Sequence, residues 1–103
     1  MSQDFGLKEN DISMIIEVLK LFPEIEKVVI YGSRAKGNHR NGSDIDLTLI
    51  GKNLNLDNLN RLSSKLDDLL LPYLFDISIY DKIDNPDLIN HIDRIGKSFF
   101  LRE

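Results

Sequence analysis

Two short segments of this 103-residue chain concentrate the side chains that chemistry can use: Gly32-Ser33-Arg34-Ala35-Lys36-Gly37, and Gly42-Ser43-Asp44-Ile45-Asp46-Leu47. A glycine directly after a β-branched run lets the chain turn sharply, offering backbone N–H groups and the Ser33 hydroxyl to an anion such as a phosphate. Asp44 and Asp46 stand one residue apart, so on a strand both carboxylates project from one face. Asp76, in Phe75-Asp76-Ile77-Ser78, joins them if its strand lies beside theirs. Two such charges at ~4 Å repel by roughly 4 kcal/mol at an effective dielectric of about 20, and a cation relieves that repulsion. An all-oxygen ligand set with no cysteine or histidine favours Mg²⁺ or Mn²⁺ over zinc, and a phosphate completes the octahedron. This combination suits phosphoryl or nucleotidyl transfer.

Two neighbouring motifs are excluded by their own requirements. Gly32 to Gly37 has the glycine spacing of a Walker A loop, but Asn38-His39 stands where Lys and Ser/Thr are needed. Asp44-x-Asp46 opens like a calcium-binding EF-hand loop, yet Thr48 and Leu49 occupy the places of the third ligand and the glycine.

The elements that would position these groups can be read from periodicity. Ile12, Ile15, Ile16, Leu19 and Phe22 form the stripe of a first helix, which Pro23 ends. Lys27 to Tyr31 is a short run suited to a strand buried on both faces, and the loop from Ser33 to Ser43 follows. Asp44 to Ile50 alternates, with Ile45, Leu47 and Leu49 opposite Asp44, Asp46 and Thr48. Leu59, Leu62, Leu66 and Leu69 indicate a second helix, with Asp57 as N-cap and Pro72 as its close. Phe75 to Tyr80 alternates again, placing Asp76 with Ser78 and Tyr80. Asn85-Pro86 starts a last helix carrying Leu88, Ile92 and Ile95, with Gly96 at its end. The order helix, strand, strand, helix, strand, helix predicts an α+β (α/β two-layer) domain with a small mixed sheet of about three to four strands covered by helices. Residues 1–103 read as one domain, because the length supports one core and no repeat or linker interrupts it.

Composition narrows the function classes. Hydrophobic residues at 42% and charged residues at 29% are those of a folded chain. The net charge of -4 argues against broad nucleic-acid binding, which needs a basic face. Arg34, Lys36, His39 and Arg40 nonetheless make one local basic loop without acids, suited to a phosphate-bearing small molecule. His39 reads as a mobile loop side chain, and His91 as a helix-boundary residue. Cysteine is absent, removing disulfides, thiolate zinc sites and cysteine nucleophiles. Met1 to Asn10 has no apolar core of a secretory signal, and Leu69 to Phe75 is too short to cross a bilayer, so the expected location is cytoplasmic.

Gly32-Ser33, ten residues, then Asp44-x-Asp46 resembles the signature of the DNA polymerase beta-like nucleotidyltransferase superfamily. Gly-Ser-Arg-Ala-Lys-Gly with Gly-Ser-Asp-Ile-Asp-Leu resembles its minimal nucleotidyltransferase (MNT) branch, as found in HEPN/MNT pairs. That resemblance implies a polymerase beta-like fold in which Asp44, Asp46 and Asp76 are the catalytic, metal-binding carboxylates. It also implies that Gly32 and Ser33 hold the triphosphate, with Arg34, Lys36 and Ser43 added here as nucleotide-binding candidates. The implied activity is Mg²⁺-dependent transfer of a nucleoside monophosphate, AMP from ATP, to a hydroxyl acceptor on a separately encoded helical HEPN-type partner, as an antitoxin. Larger relatives carry a helical acceptor domain after this one, and with no residue after Glu103 the acceptor site is expected from elsewhere, in a homo- or hetero-oligomer. Two alternatives stand beside this reading: a non-catalytic antitoxin-like binding subunit, and the catalytic subunit of a two-chain small-molecule nucleotidyltransferase.

Overall fold

A computed structural model describes residues 4–40 and 42–103. Of the segments read above, the first three residues of the N-terminal stretch and one residue of the Ser33 to Ser43 loop lie outside the described residues. The chain runs α1 (Glu9–Lys20), β1 (Lys27–Tyr31), α2 (Ser33–Lys36), β2 (Ile45–Ile50), α3 (Leu56–Asp67), β3 (Phe75–Ile79), a 3-10 turn (Tyr80–Lys82), α4 (Pro86–Ile95) and β4 (Lys97–Leu101).

The four strands form one sheet in the order β3-β2-β1-β4. β1 is antiparallel to both β2 and β4, whereas β2 and β3 are parallel. Parallel neighbours need a crossover, and α3 provides it. The inner position of β1 explains its continuous Val28-Val29-Ile30-Tyr31 run, since both of its faces are covered.

Each face of the sheet has its own core. On one side Val28, Ile30, Ile45, Leu47 and Leu49 pack with Ile15, Val18 and Leu19 of α1 and Leu62 and Leu66 of α3. On the other, Val29 and Tyr31 meet Ile92 of α4, with Ile50, Tyr80, Ile83 and Leu88 at the margin. The second core is small, and α4 covers only part of that face. The uncovered part carries the carboxylates.

Several sequence expectations are corrected. The final strand β4 was not foreseen: its pairing with β1 shifts register between Val28 and Val29, so the consecutive Phe99 and Phe100 are both buried and no clean alternation marks it. α1 begins at Glu9 and ends at Lys20, before Pro23, because Leu21 and Phe22 turn back onto Val18 and Leu19 carbonyls. Asp57 is not the cap of α3. Asn55 is, through a reciprocal capping box in which its side chain accepts from Asn58 N–H at 2.9 Å while Asn58 Oδ1 accepts from Asn55 N–H at 3.0 Å. Asp57 lies in the first turn, where its charge suits the helix dipole. α3 ends before Pro72, with Leu70 at a positive φ of 57°. β3 stops at Ile79, and Tyr80 starts the 3-10 turn. α4 starts as expected, with the Asn85 side chain accepting from Asp87 and Leu88 N–H ahead of Pro86. Among the described residues no helix is long and apolar enough to cross a membrane.

Candidate active site

Pairing register brings the acids together. Asp46 of β2 is the Cα partner of Asp76 on parallel β3 and of Tyr31 on antiparallel β1. Neighbouring strands lie about 4.8 Å apart, so these three side chains form a row across one face of the sheet. Asp44, just before β2, is exposed, Asp46 is half-buried and Asp76 is exposed. Behind the row lies a second polar pair, where the Ser78 hydroxyl donates to Thr48 Oγ1 at 3.0 Å.

The electrostatics are those of an unneutralised acidic site. Burial first, then the Asp76 and Asp44 carboxylates, push the Asp46 carboxyl up to about 6, against the opposing pull of Arg34. The Tyr31 phenol is raised for related reasons: burial dominates and Asp76 and Asp46 add to it, with the neighbouring Ser78 hydroxyl opposing. Among the described residues, however, no three histidine, aspartate or glutamate side chains stand close enough to hold a metal ion by themselves. The three carboxylates share a face without closing into a cage. This matches what Mg²⁺ requires, since it takes one or two carboxylates and completes its octahedron with water and substrate phosphate. The donor set and the raised Asp46 both fit a divalent cation.

Gly32 lies between β1 and α2 with φ 75° and ψ -154°, a state close to one that essentially only glycine adopts. A second reason for glycine is invisible in the sequence. A Cβ built at this position would overlap Asp46 Oδ2. Ser33 opens the single turn of α2, with its carbonyl accepting from Gly37 and Asn38 N–H at 3.0 and 3.1 Å. The first amides of a helical turn have no partner within it, so the turn retains donors for a ligand.

The basic loop divides into structural and free charges. Arg34, a nucleotide-binding candidate from sequence, is 3% exposed. Its guanidinium donates to the Ser43 carbonyl at 3.2 and 2.9 Å, and to the Phe5 carbonyl at 2.9 Å. It also lies over the Tyr73 ring at 5.3 Å, and the Tyr73 hydroxyl donates to buried Asp11 at 2.8 Å. Arg34 is therefore a clamp holding the Asp44 end of the loop against the turn, not a free cation. Ser43 is likewise engaged, its hydroxyl accepting from Arg40 N–H at 2.8 Å. Lys36 is exposed. The His39 ring packs against Gly6, where an added Cβ would overlap it, and its Nδ1 is buried with no hydrogen-bond partner among the described residues.

Two residues at the site were missed by sequence reasoning. Tyr31 was read only as the end of a strand, although the alternation from Val29 already places both on one face. His91, read as a helix-boundary residue, accepts a hydrogen bond from Gly32 N–H at 3.2 Å and stands edge-on to Tyr31. Its place three residues after Leu88 put it on the sheet-facing side of α4, but no local pattern pairs it with Gly32.

Comparison with known proteins adds a family and a fold. The model of the family described as "Polymerase beta, Nucleotidyltransferase" matches residues 13–103. No curated protein matches the chain in sequence. A toxin-antitoxin structure with AMP-PNP is similar at TM-score 0.72 and 21% identity, covering 89% of this chain and 74% of that one. A tri-AMPylated Shewanella oneidensis HEPN toxin in complex with MNT antitoxin gives TM-score 0.68 and 19% identity, with 91% and 72% covered. A nucleotidyltransferase-like structure from Sulfolobus solfataricus gives TM-score 0.53 at 22% identity over 94% and 92% of the two chains. At these identities the structural likeness establishes the fold.

Proposed function

Because the chain belongs to the polymerase beta nucleotidyltransferase family, we propose that it transfers AMP from ATP to a hydroxyl group of a helical HEPN-type partner protein and thereby acts as an antitoxin. The observation that carries this reading is the alignment of Asp46 with Asp76 beside the Gly32-Ser33 turn. The structural neighbours that include a toxin-antitoxin pair with AMP-PNP and an AMPylated HEPN toxin with its MNT antitoxin support the choice of nucleotide and acceptor.

In the proposed mechanism the Gly32-Ser33 turn receives the triphosphate through the Ser33 N–H and hydroxyl, with Lys36 as an exposed cation of the loop beside it. Asp44, Asp46 and Asp76 would supply the carboxylates for Mg²⁺ or Mn²⁺, with substrate phosphate and water completing the ligand set, and the ion would supply neutralisation of charge on the phosphates. Asp76, exposed at the open side of the row, accepts the proton of the acceptor hydroxyl. The acceptor oxygen bonds to the α-phosphorus, the bond to pyrophosphate breaks, and the products are an AMP ester and pyrophosphate. Tyr31 and the Thr48–Ser78 pair close the floor of the site. Residues 1–103 act as one catalytic domain, and the acceptor is brought by the partner. A cytoplasmic location follows from that role.

Incubating the chain and a HEPN-type partner with ATP labelled at the α-phosphate tests the reading. Label should pass to the partner, and Asp46→Asn should abolish transfer. Equal labelling with the variant would refute the mechanism.

A further inference from the structure

Both backbone polar groups of Gly32 are held, and by different elements. Its carbonyl accepts from Lys36 N–H at 3.1 Å, within α2. Its N–H donates to His91 Nε2 at 3.2 Å, a bond spanning 59 positions of sequence. The same imidazole stands edge-on to Tyr31, with ring centroids 6.0 Å apart and planes at 78°. One side chain of α4 therefore touches both residues that lead into the Ser33 turn.

The carrier of that side chain is itself fixed. α4 is capped by Asn85 and begins with Pro86, and Ile92, next to His91, is buried against Val29 and Tyr31. A backbone state as sparsely populated as that of Gly32 persists only when its surroundings over-determine it. The φ and ψ of Gly32, between the amide held by His91 and the next peptide plane, set how the following residue, Ser33, presents its N–H and hydroxyl. To accept at Nε2 the imidazole must be neutral, with its hydrogen on Nδ1.

We infer that His91 is a positioning residue for the nucleotide: by accepting the Gly32 N–H it holds the Gly32-Ser33 turn in the orientation that receives the triphosphate. This rests on the reading of that turn as the triphosphate-binding element. His91 contacts the turn, and its effect on the nucleotide passes through Gly32.

Three variants of the full chain separate acceptor, ring and bulk. His91→Phe keeps an aromatic ring against Tyr31 but has no acceptor, His91→Leu is smaller and also has none, and His91→Gln restores an acceptor without the ring. Titrated with ATP in the presence of magnesium, His91→Phe and His91→Leu should bind ~10-fold more weakly than wild type, the loss of one hydrogen bond. His91→Gln should remain within ~3-fold of wild type. Exchange of the Gly32 amide hydrogen should quicken in the first two variants and return towards wild type in the third. Wild-type affinity in His91→Phe and His91→Leu would overturn the inference, as would equal weakening in all three. Absence of ATP binding by the wild-type chain would instead overturn the nucleotide reading on which the inference rests, and the inference with it.

Discussion

Gly32 and Asp46 exclude each other's alternatives: the carboxylate of Asp46 occupies the space that any Cβ at position 32 would fill. The turn proposed to hold phosphate and the acid proposed to hold metal therefore form one packed unit. Gly32→Ala should cost about 1–3 kcal/mol through its unfavourable φ and ψ. Because the overlapping atom is the end of a short side chain, the substitution should also displace the Asp46 carboxylate. Nucleotide transfer should fall by at least ~100-fold, more than the stability loss explains. Thermal melting read beside transfer assays checks this, and activity that merely follows the folded fraction would contradict it.

Asp46 should trade stability for function. Its folded carboxyl is raised to about 6 from an ordinary 3.8, so between these values the native state binds more protons than the unfolded chain. Stability from this group consequently falls as pH rises through that window, and the full penalty is present above it. Asp46→Asn should raise the melting temperature of the metal-free chain at pH 8, narrow the gap between pH 8 and pH 5, and abolish transfer. A lower melting temperature for the variant at pH 8 would contradict the electrostatic account.

Magnesium should reverse the same penalty. Binding near pH 6 should release protons, because the ion favours the ionised carboxylate. Titration of wild type in two buffers of different ionisation enthalpy reads the protons released, and Asp46→Asn should release fewer.

Arg34 and Lys36 should behave oppositely despite sharing one helical turn. Arg34→Lys should destabilise the chain by roughly 2–3 kcal/mol, since an ammonium cannot reach both carbonyls or stack as a guanidinium does. Lys36→Ala should leave stability within about 0.5 kcal/mol. It should raise KM for ATP severalfold, and denaturant midpoints with steady-state kinetics distinguish the two.

Much of the candidate site's geometry was legible because its spacing is local. A glycine after an apolar run, two acids two positions apart and a third acid in another alternating segment are patterns within windows of a few residues, and Asp46 and Asp76 do meet in register. The capping of α3 was misread because Asp57 and Asn55 are both acceptable caps, and only the reciprocal bond with Asn58 selects Asn55. β4 escaped notice because a shifted register removes the alternation that reveals a strand.

The sequence by itself determined which side chains are on offer: a set of carboxylates without cysteine, one glycine-serine turn, and strands whose period of two sends the acids to one face. Tertiary structure alone decided how those groups are supported. Arg34 became a buried clamp because Phe5 and Tyr73, distant in the chain, converge on it together with Ser43 of its own loop. His91 became the acceptor for Gly32 because α4 packs over β1. Periodicity reports which face a residue takes, but which other residue meets it there depends on strand order and helix docking, and these are set by the burial of two whole cores.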